Sequence, residues 1–94
     1  MTYVLVIHRV EDYKKWKPIY DADGATRKAK GSKGASVLRN VKDPNHLVVI
    51  TQWENLEKAK TFTESEDLVI TMQEAGVVGR PAVFYLDEIE RTEY

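Results

Sequence analysis

The segment from Thr2 to Val10 limits the possible folds more than any other part of the chain. Its sequence, Thr-Tyr-Val-Leu-Val-Ile-His-Arg-Val, is rich in β-branched and aromatic residues, which predicts a β-strand. Side-chain alternation places Tyr3, Leu5, Ile7 and Arg9 on one face, and Val4, Val6, His8 and Val10 on the other. Because both faces are mainly apolar, the rest of the molecule must cover both.

Three further strands are predicted from short apolar runs. They are Ala35 to Val41, His46 to Trp53 and Ala82 to Glu90. The tripeptide Asp43-Pro44-Asn45 has the composition of a tight turn, because Pro fixes φ and Asp and Asn bond to nearby backbone. The second and third strands therefore form a hairpin.

A first helical region follows the opening strand. Asp12 is a suitable N-cap for a helix that begins at Tyr13. Pro18 lies inside this region and predicts a kink or irregular first turns. Residues 21–24 allow a break, and Ala25 to Lys30 form a second helical piece.

A second helical region follows the third strand. Asn55 is a suitable cap, and a break is expected near Ser65. Gly76 and Gly79-Arg80-Pro81 are predicted to end it. Its inner face repeats at helical spacing, with the residues Leu56, Ala59, Phe62, Leu68, Met72 and Ala75.

The predicted order is β-α-β-β-α-β, within a single domain over residues 1–94. Right-handed crossovers then give an α+β, ferredoxin-like fold, an antiparallel sheet of order 4-1-3-2 with both helices on one face. The helices cover one side of the sheet only. Since three strands are apolar on the other side too, we expect a homodimer in which two sheets face each other and close an α+β barrel.

Composition narrows the possible partners. The 94 residues include 14 basic and 15 acidic side chains and a net charge of −1, which gives no basic surface for nucleic acid or an anionic membrane. The absence of cysteine excludes disulfides, thiolate metal sites and a cysteine nucleophile. No apolar run approaches the ~20 residues of a membrane span, and no secretory signal is recognisable, so a cytoplasmic protein is expected.

Several segments give the chain a family resemblance. They are Asp12-Tyr13-Lys14-Lys15-Trp16-Lys17-Pro18, Thr51-Gln52-Trp53-Glu54-Asn55-Leu56-Glu57-Lys58-Ala59, Val10-Glu11-Asp12-Tyr13 and Gly76-Val77-Val78-Gly79-Arg80-Pro81. With these segments and its element order, the whole chain resembles the dimeric α+β barrel superfamily, and within it the antibiotic biosynthesis monooxygenase-like proteins.

The resemblance implies several activities. Members include quinone-forming monooxygenases that need no cofactor, haem-degrading enzymes, decarboxylases, isomerases and proteins of unknown role. The haem-degrading members use an Asn near the end of the first strand, and a Trp and a His on the second helix. The corresponding places here look like His8, Phe62 and Met72, and none of them matches. The resemblance therefore implies no haem and no other bound cofactor.

The topology gathers aromatic and polar side chains around the end of the first strand, as a small-molecule cavity requires. The expected group comprises His8, Tyr13, Trp16, Arg39, His46, Met72, Phe84 and Tyr85. We assign His8 as a candidate general base and Arg39 as a candidate anion-binding residue. The candidate ligand-binding residues are Trp16, Tyr20, Met72, Phe84 and Tyr85.

Each of these assignments has a structural alternative. His8 can be a core or interfacial histidine, whose face is not fixed by the sequence, and Trp16 and Tyr20 can be packing residues between helix and sheet. The cationic run Arg27-Lys28-Ala29-Lys30 is predicted to be a solvated helix face. Two histidines without a pattern of nearby carboxylates do not predict a metal site.

Two functions remain open at this point. The first is an enzyme or binder of a small aromatic or polyketide-like molecule, which by analogy with the family would be a cofactor-independent monooxygenase. The second is a non-catalytic dimeric module that senses a ligand or mediates an interaction. RNA binding is disfavoured because the paired aromatic signature and the positive charge are both missing.

Overall fold

Four strands and four helices follow one another in a β-α-β-β-α-β arrangement in which each helical region is divided in two. The computed structural model describes all residues from 1 to 94. In chain order the elements are β1 (Thr2–Val10), α1 (Tyr13–Ala22), α2 (Gly24–Ala29), β2 (Ser32–Arg39), β3 (His46–Trp53), α3 (Leu56–Thr63), α4 (Glu66–Glu74) and β4 (Val77–Asp87). None of the four helices has the length and apolarity needed to span a bilayer.

The strands form one antiparallel sheet of order β2-β3-β1-β4. This is the predicted order 4-1-3-2 written from the other edge, and the α+β, ferredoxin-like class is confirmed. β1 lies in the interior of the sheet, where Val6 is opposite Val49 of β3 and Val83 of β4. Its central place explains why its apolar residues occupy both faces.

The helix boundaries follow from side-chain caps. Asp12 accepts a hydrogen bond from the backbone N–H of Lys14, and Asn55 accepts one from that of Lys58. The predicted break near Ser65 is present, since Ser65 caps α4. The break in the first region lies at Asp23, and α1 runs through Pro18.

The core lies between the helices and one face of the sheet. It has two adjoining clusters, the first of Val10, Trp16, Leu47, Val49 and Ala75, and the second of Val4, Val6, Trp53 and Ala59. Trp16 of α1, Ala59 of α3 and Ala75, the C-cap of α4, pack against the same sheet face. The helical cover is therefore on one side only, as predicted.

The bounds of two strands differ from the prediction. β2 spans Ser32–Arg39 instead of Ala35 to Val41, and β4 spans Val77–Asp87 instead of Ala82 to Glu90. The segment Gly79-Arg80-Pro81, predicted to end a helix, lies inside β4. β4 tolerates it because it is an edge strand with a bulge, where Gly79 takes φ +73° and Pro81 needs no partner on the outer side.

The second face of the sheet carries no helix and is largely apolar. By alternation and register it presents Tyr3, Leu5, Ile7, Leu38, Val48, Ile50, Ala82, Phe84 and Leu86. We call this surface the open face. Three of its large side chains, Leu38, Phe84 and Leu86, are between 44% and 52% exposed. Apolar side chains this large and this close together usually mark a surface that another molecule covers.

Candidate functional site

A cavity of about 80 Å³ lies between the sheet and the helices. Most of its lining is apolar, with valines from β1 and β3 on one side and helical side chains on the other. Its few polar groups are those of His8, Tyr20, Asp23, Arg27, Thr51, Thr63 and Thr71. A cavity that combines an apolar lining with a few polar groups has the character of a ligand site.

Strand alternation determines the orientation of His8. Val4, Val6 and His8 are all buried on the helical side of β1, so His8 points into the cavity and away from the open face. The structure therefore shows which face of the sheet carries His8, which the sequence left open. Leu47, directly opposite His8 on β3, is completely buried beside it.

The imidazole of His8 has no hydrogen-bond partner in the protein. The residue is only 6% exposed, and neither Nδ1 nor Nε2 is paired. Burial lowers the pKa of His8 below its ordinary value because it disfavours the charged imidazolium, and repulsion from His46 lowers this pKa further. His8 is therefore a neutral imidazole at neutral pH, with one donor and one acceptor available to a ligand.

One wall of the cavity is a continuous aromatic stack. The ring centroids of His8 and Trp16 are 5.8 Å apart, and those of Trp16 and Tyr20 are 4.8 Å apart with an angle of 18° between the planes. The spacing of four residues between Trp16 and Tyr20 puts both on the inner face of α1. Because these rings pack against one another, and Arg27 lies over the Tyr20 ring, the wall presents mainly ring edges to the cavity.

The opposite wall comes from the second helical region. Phe62, Leu68 and Met72 of α3 and α4 line the cavity there. Phe62 packs on Trp53 with a centroid distance of 5.1 Å, which fixes its ring against the core. Phe62, Leu68 and Met72 therefore make this wall apolar.

Arg27 is the site residue that the sequence prediction missed. It was assigned to a solvated face, yet it lines the cavity, with its guanidinium carbon 3.9 Å from the centroid of the Tyr20 ring. Its side chain is only 12% exposed. The signal was present in the sequence, because Arg27 continues the spacing of three and four that runs through Trp16 and Tyr20.

The other predicted residues divide between the cavity and places outside it. His8, Trp16, Tyr20 and Met72 line the cavity together. Tyr85 faces the helical side of the sheet but does not line the cavity. Its hydroxyl lies 2.6 Å from the hydroxyl of Thr63, and Thr63 does line the cavity.

Arg39 and Phe84 do not line the cavity, although Arg39 lies at the predicted end of the fold, in register with Leu47 and hence with His8. Arg39 is exposed, and its guanidinium lies over the ring of Tyr13, with 4.9 Å from its carbon to the centroid. Phe84 pairs with Leu5 and therefore lies on the open face. Since successive side chains of a strand alternate, Phe84 and Tyr85 cannot line the same side of the sheet.

No group of three or more His, Cys, Asp or Glu side chains is arranged to hold a metal ion. In the cavity, His8 lies at one end of the aromatic stack and Arg27 at the other.

A comparison with known protein families shows the family to which the chain belongs. A sequence profile described as Antibiotic biosynthesis monooxygenase matches residues 19–73, which is more than half of the chain. The chain belongs to the antibiotic biosynthesis monooxygenase family. The matched segment runs from α1 to α4 and includes Tyr20, Arg27 and Met72, whereas His8 and Trp16 precede it. No curated protein matches the sequence.

Solved structures of similar proteins support the family fold. A candidate antibiotic biosynthesis monooxygenase from Bordetella bronchiseptica has a TM-score of 0.77 at 14% identity, over 95% of this chain and 97% of that one. SnoaB, a cofactor-independent oxygenase from Streptomyces nogalater, in a mutant form, has a TM-score of 0.77 at 11% identity, over 96% and 94% of the two chains. A conserved protein from Methanosarcina mazei Go1 has a TM-score of 0.70 at 12% identity, over 90% and 89%. At identities of 11% to 14%, these similarities show that the proteins share a fold with this chain.

Proposed function

We propose that the protein binds a small aromatic molecule in the cavity and oxidises it as a cofactor-independent monooxygenase. The observation that carries the proposal is the unpartnered imidazole of His8, which is buried and faces the aromatic wall. A buried polar group without a partner costs the fold stability, so its presence in a cavity points to a ligand that completes its hydrogen bonds.

His8 has the properties of a general base. Its lowered pKa keeps the imidazole neutral at neutral pH, and its lone pair is available because no protein donor occupies it. It would accept a proton from the hydroxyl of a phenolic ligand in the cavity. Because burial disfavours the imidazolium, the attraction between imidazolium and phenolate must offset the cost of desolvating both charges.

The oxidation itself would be carried out by dioxygen on the deprotonated ring. A deprotonated quinol is electron-rich enough to transfer an electron to dioxygen, and the resulting radical pair combines at a ring carbon. Overall, one ring C–H becomes C–OH, the two hydroxyl groups of the quinol become carbonyls, the second oxygen atom leaves as water, and dioxygen receives four electrons from the substrate. The apolar lining of the cavity favours this step because it accommodates dioxygen and excludes water. The structural similarity to SnoaB supports this chemistry as a proposal.

The size of the cavity restricts the substrate. A volume of about 80 Å³ is well below the ~300 Å³ or more of most ligand sites. A polycyclic polyketide of the kind that the family resemblance implies does not fit this arrangement of side chains. We therefore propose a single-ring substrate, with one cavity per subunit.

The small cavity also favours the second candidate function, a non-catalytic module that senses a ligand. No acidic side chain is hydrogen-bonded to His8 to orient the imidazole, as is common in catalytic histidines. A histidine of this kind is well suited to recognise a hydroxyl without abstracting its proton. The two functions share the binding site and differ in whether dioxygen is consumed.

A homodimer through the open face is part of the same proposal. The exposed apolar side chains there need a cover, and a second copy provides an equally apolar surface of the same shape. Phe84, which does not line the cavity, would then contribute to the dimer contact. Arg39 has no role in the proposed chemistry, since it lies over Tyr13 outside the cavity.

Oxygen consumption in the presence of candidate substrates tests the proposal. Single-ring phenols and quinols are compared with the tricyclic anthrone, with an oxygen electrode and product analysis by mass spectrometry. We expect turnover of a single-ring compound that His8→Gln abolishes, because an amide cannot act as the base. His46→Gln is the matched control, since His46 lies outside the cavity lining.

The outcomes separate the two functions. Turnover that His8→Gln removes and His46→Gln retains supports the monooxygenase. Binding of the same compounds without any oxygen uptake would favour the sensing module, and absence of both binding and turnover would contradict a small-molecule site.

A further inference from the structure

Arg27 lies at the end of the cavity's aromatic wall with its hydrogen-bond donors unused. Its side chain is 12% exposed, and its nearest acidic partner, Asp23, has an Oδ2 that is 3.8 Å from Nη1. This distance exceeds the ~2.7–3.2 Å of a hydrogen bond, so the guanidinium keeps its fork of N–H donors. A guanidinium that is largely removed from water and lacks hydrogen bonds can bind an anion at little further cost of desolvation.

The position of the guanidinium is fixed by packing. Its carbon lies 3.9 Å from the centroid of the Tyr20 ring, which in turn stacks on Trp16 at 4.8 Å. With His8 beyond Trp16, the wall has a neutral imidazole at one end and a cation at the other. A flat ligand on this wall would present a proton donor to His8 and a negative charge to Arg27.

Arg27 also borders a surface groove outside the cavity. The groove is lined by Gly24, Arg27, Lys28, Ser32 and Lys33, among others, and three of these residues are cationic. Arg27 lines both the groove and the cavity, so it lies where the two meet. Lys33 is paired with Glu54, whose Oε1 lies 3.0 Å from its Nζ, so Arg27 and Lys28 supply the charge that would attract an anion towards the cavity.

We infer that Arg27 is the anion-binding residue of the cavity and that the ligand is a single-ring hydroxy-aromatic acid, bound with its carboxylate on Arg27 and its hydroxyl towards His8. This inference rests on the proposed small-molecule site and adds the chemical class of the ligand. The sequence instead indicated Arg39 as the anion-binding residue, but the guanidinium of Arg39 lies over Tyr13 and outside the cavity.

Binding of 4-hydroxybenzoate and its neutral amide, 4-hydroxybenzamide, tests the inference. Affinities for the full-length protein are measured by isothermal titration calorimetry, with the Trp16 indole N–H followed by NMR to locate the ligand. We expect the acid to bind at least roughly tenfold more tightly than the amide, since a hydrogen bond to a charged group contributes about this much.

Variants of Arg27 identify the source of that preference. Arg27→Gln should reduce the preference for the acid to about twofold or less, and Arg27→Lys should keep part of the preference. Lys30→Gln is the matched control, because it removes the same charge from an exposed site outside the cavity lining. This control should keep the wild-type ratio.

Three results are informative. A preference for the acid that only the Arg27 variants lose supports the inference. Equal affinities for acid and amide, or a preference that survives Arg27→Gln, would overturn the inference and leave the proposed small-molecule site intact. Failure of both compounds to bind or to shift the Trp16 signal would overturn both proposals.

Discussion

The imidazole of His8 and the indole of Trp16 face each other in the core at 5.8 Å, with their planes inclined by 50°, and neither nitrogen of His8 is hydrogen-bonded to the protein. His8 therefore occupies a position where a purely structural residue would be apolar, as Val4 and Val6 are on the same face. The fold tolerates this group because the adjoining cavity leaves room for a partner outside the chain.

Replacement of His8 by leucine should increase stability. The substitution removes two unpaired buried polar atoms and adds apolar contact with Trp16, so we expect the free energy of unfolding to rise by about 1 kcal/mol. Urea denaturation followed by circular dichroism measures the change. Leu47→Ala is a control with the opposite effect. Because Leu47 is completely buried, its truncation should lower the free energy of unfolding by roughly 2–5 kcal/mol. A loss of stability in His8→Leu would show that the imidazole has a structural partner after all.

The same residue makes stability depend on pH. Burial and the charge of His46 lower the pKa of His8 in the folded state, whereas the unfolded chain keeps the ordinary value of 6.5. Between these two values the unfolded state binds more protons, so stability is complete above pH 6.5 and falls as the pH drops towards the folded-state pKa. The largest slope that one group contributes is about 1.4 kcal/mol per pH unit.

Urea denaturation at a series of pH values between 5 and 8 (roughly the range in which histidine titrates) measures this effect. We expect His8→Leu to remove most of the decline below pH 6.5, whereas His46→Gln should remove only the smaller part that depends on its charge. If the wild type and His8→Leu lost stability in parallel over this range, another group would be responsible.

The arrangement of strands could be predicted from sequence because β1 has a distinctive composition and its neighbours have clear turns. The side of the sheet occupied by His8 could not, since both faces of β1 are apolar and only the packed helices distinguish them. The start of β4 was misplaced because Gly79 and Pro81 resemble a helix terminus, while at a sheet edge a bulge accommodates them. These features depend on tertiary context that no local pattern contains.

The residues of the cavity could be predicted only in part, again because tertiary context decides which side chains reach it. Trp16, Tyr20 and Met72 follow from helical periodicity, and the structure brings them together. Arg27 was assigned to solvent because a cationic run is normally exposed, although its spacing from Tyr20 places it on the inner face. A charged side chain that packs on an aromatic ring is recognised only when the ring has been located.

Tyr85 is expected to contribute to stability through Thr63. The Thr63 hydroxyl donates to the carbonyl of Ala59 at 3.0 Å, so the Tyr85 O–H donates to Thr63 at 2.6 Å and connects β4 to α3. Tyr85→Phe and Thr63→Val should each cost roughly 0.5–1.5 kcal/mol, and the double variant should cost less than their sum. Unchanged 4-hydroxybenzoate affinity in Tyr85→Phe would fit this role, while a large loss would place the hydroxyl on the ligand, as the sequence first suggested.

Phe84 provides the sharpest test of the proposed homodimer. It is 48% exposed at the open face beside Leu5, and a glutamate there would put a charge into an apolar contact between two sheets. We expect the wild-type protein to be dimeric and Phe84→Glu to be monomeric in analytical ultracentrifugation at micromolar concentration. Ile70→Glu is the matched control, because Ile70 is 52% exposed on α4, on the helical side. A monomeric wild type would contradict the proposed homodimer. A dimer that survives Phe84→Glu and dissociates with Ile70→Glu would show that the interface lies on the helical side and not at the open face.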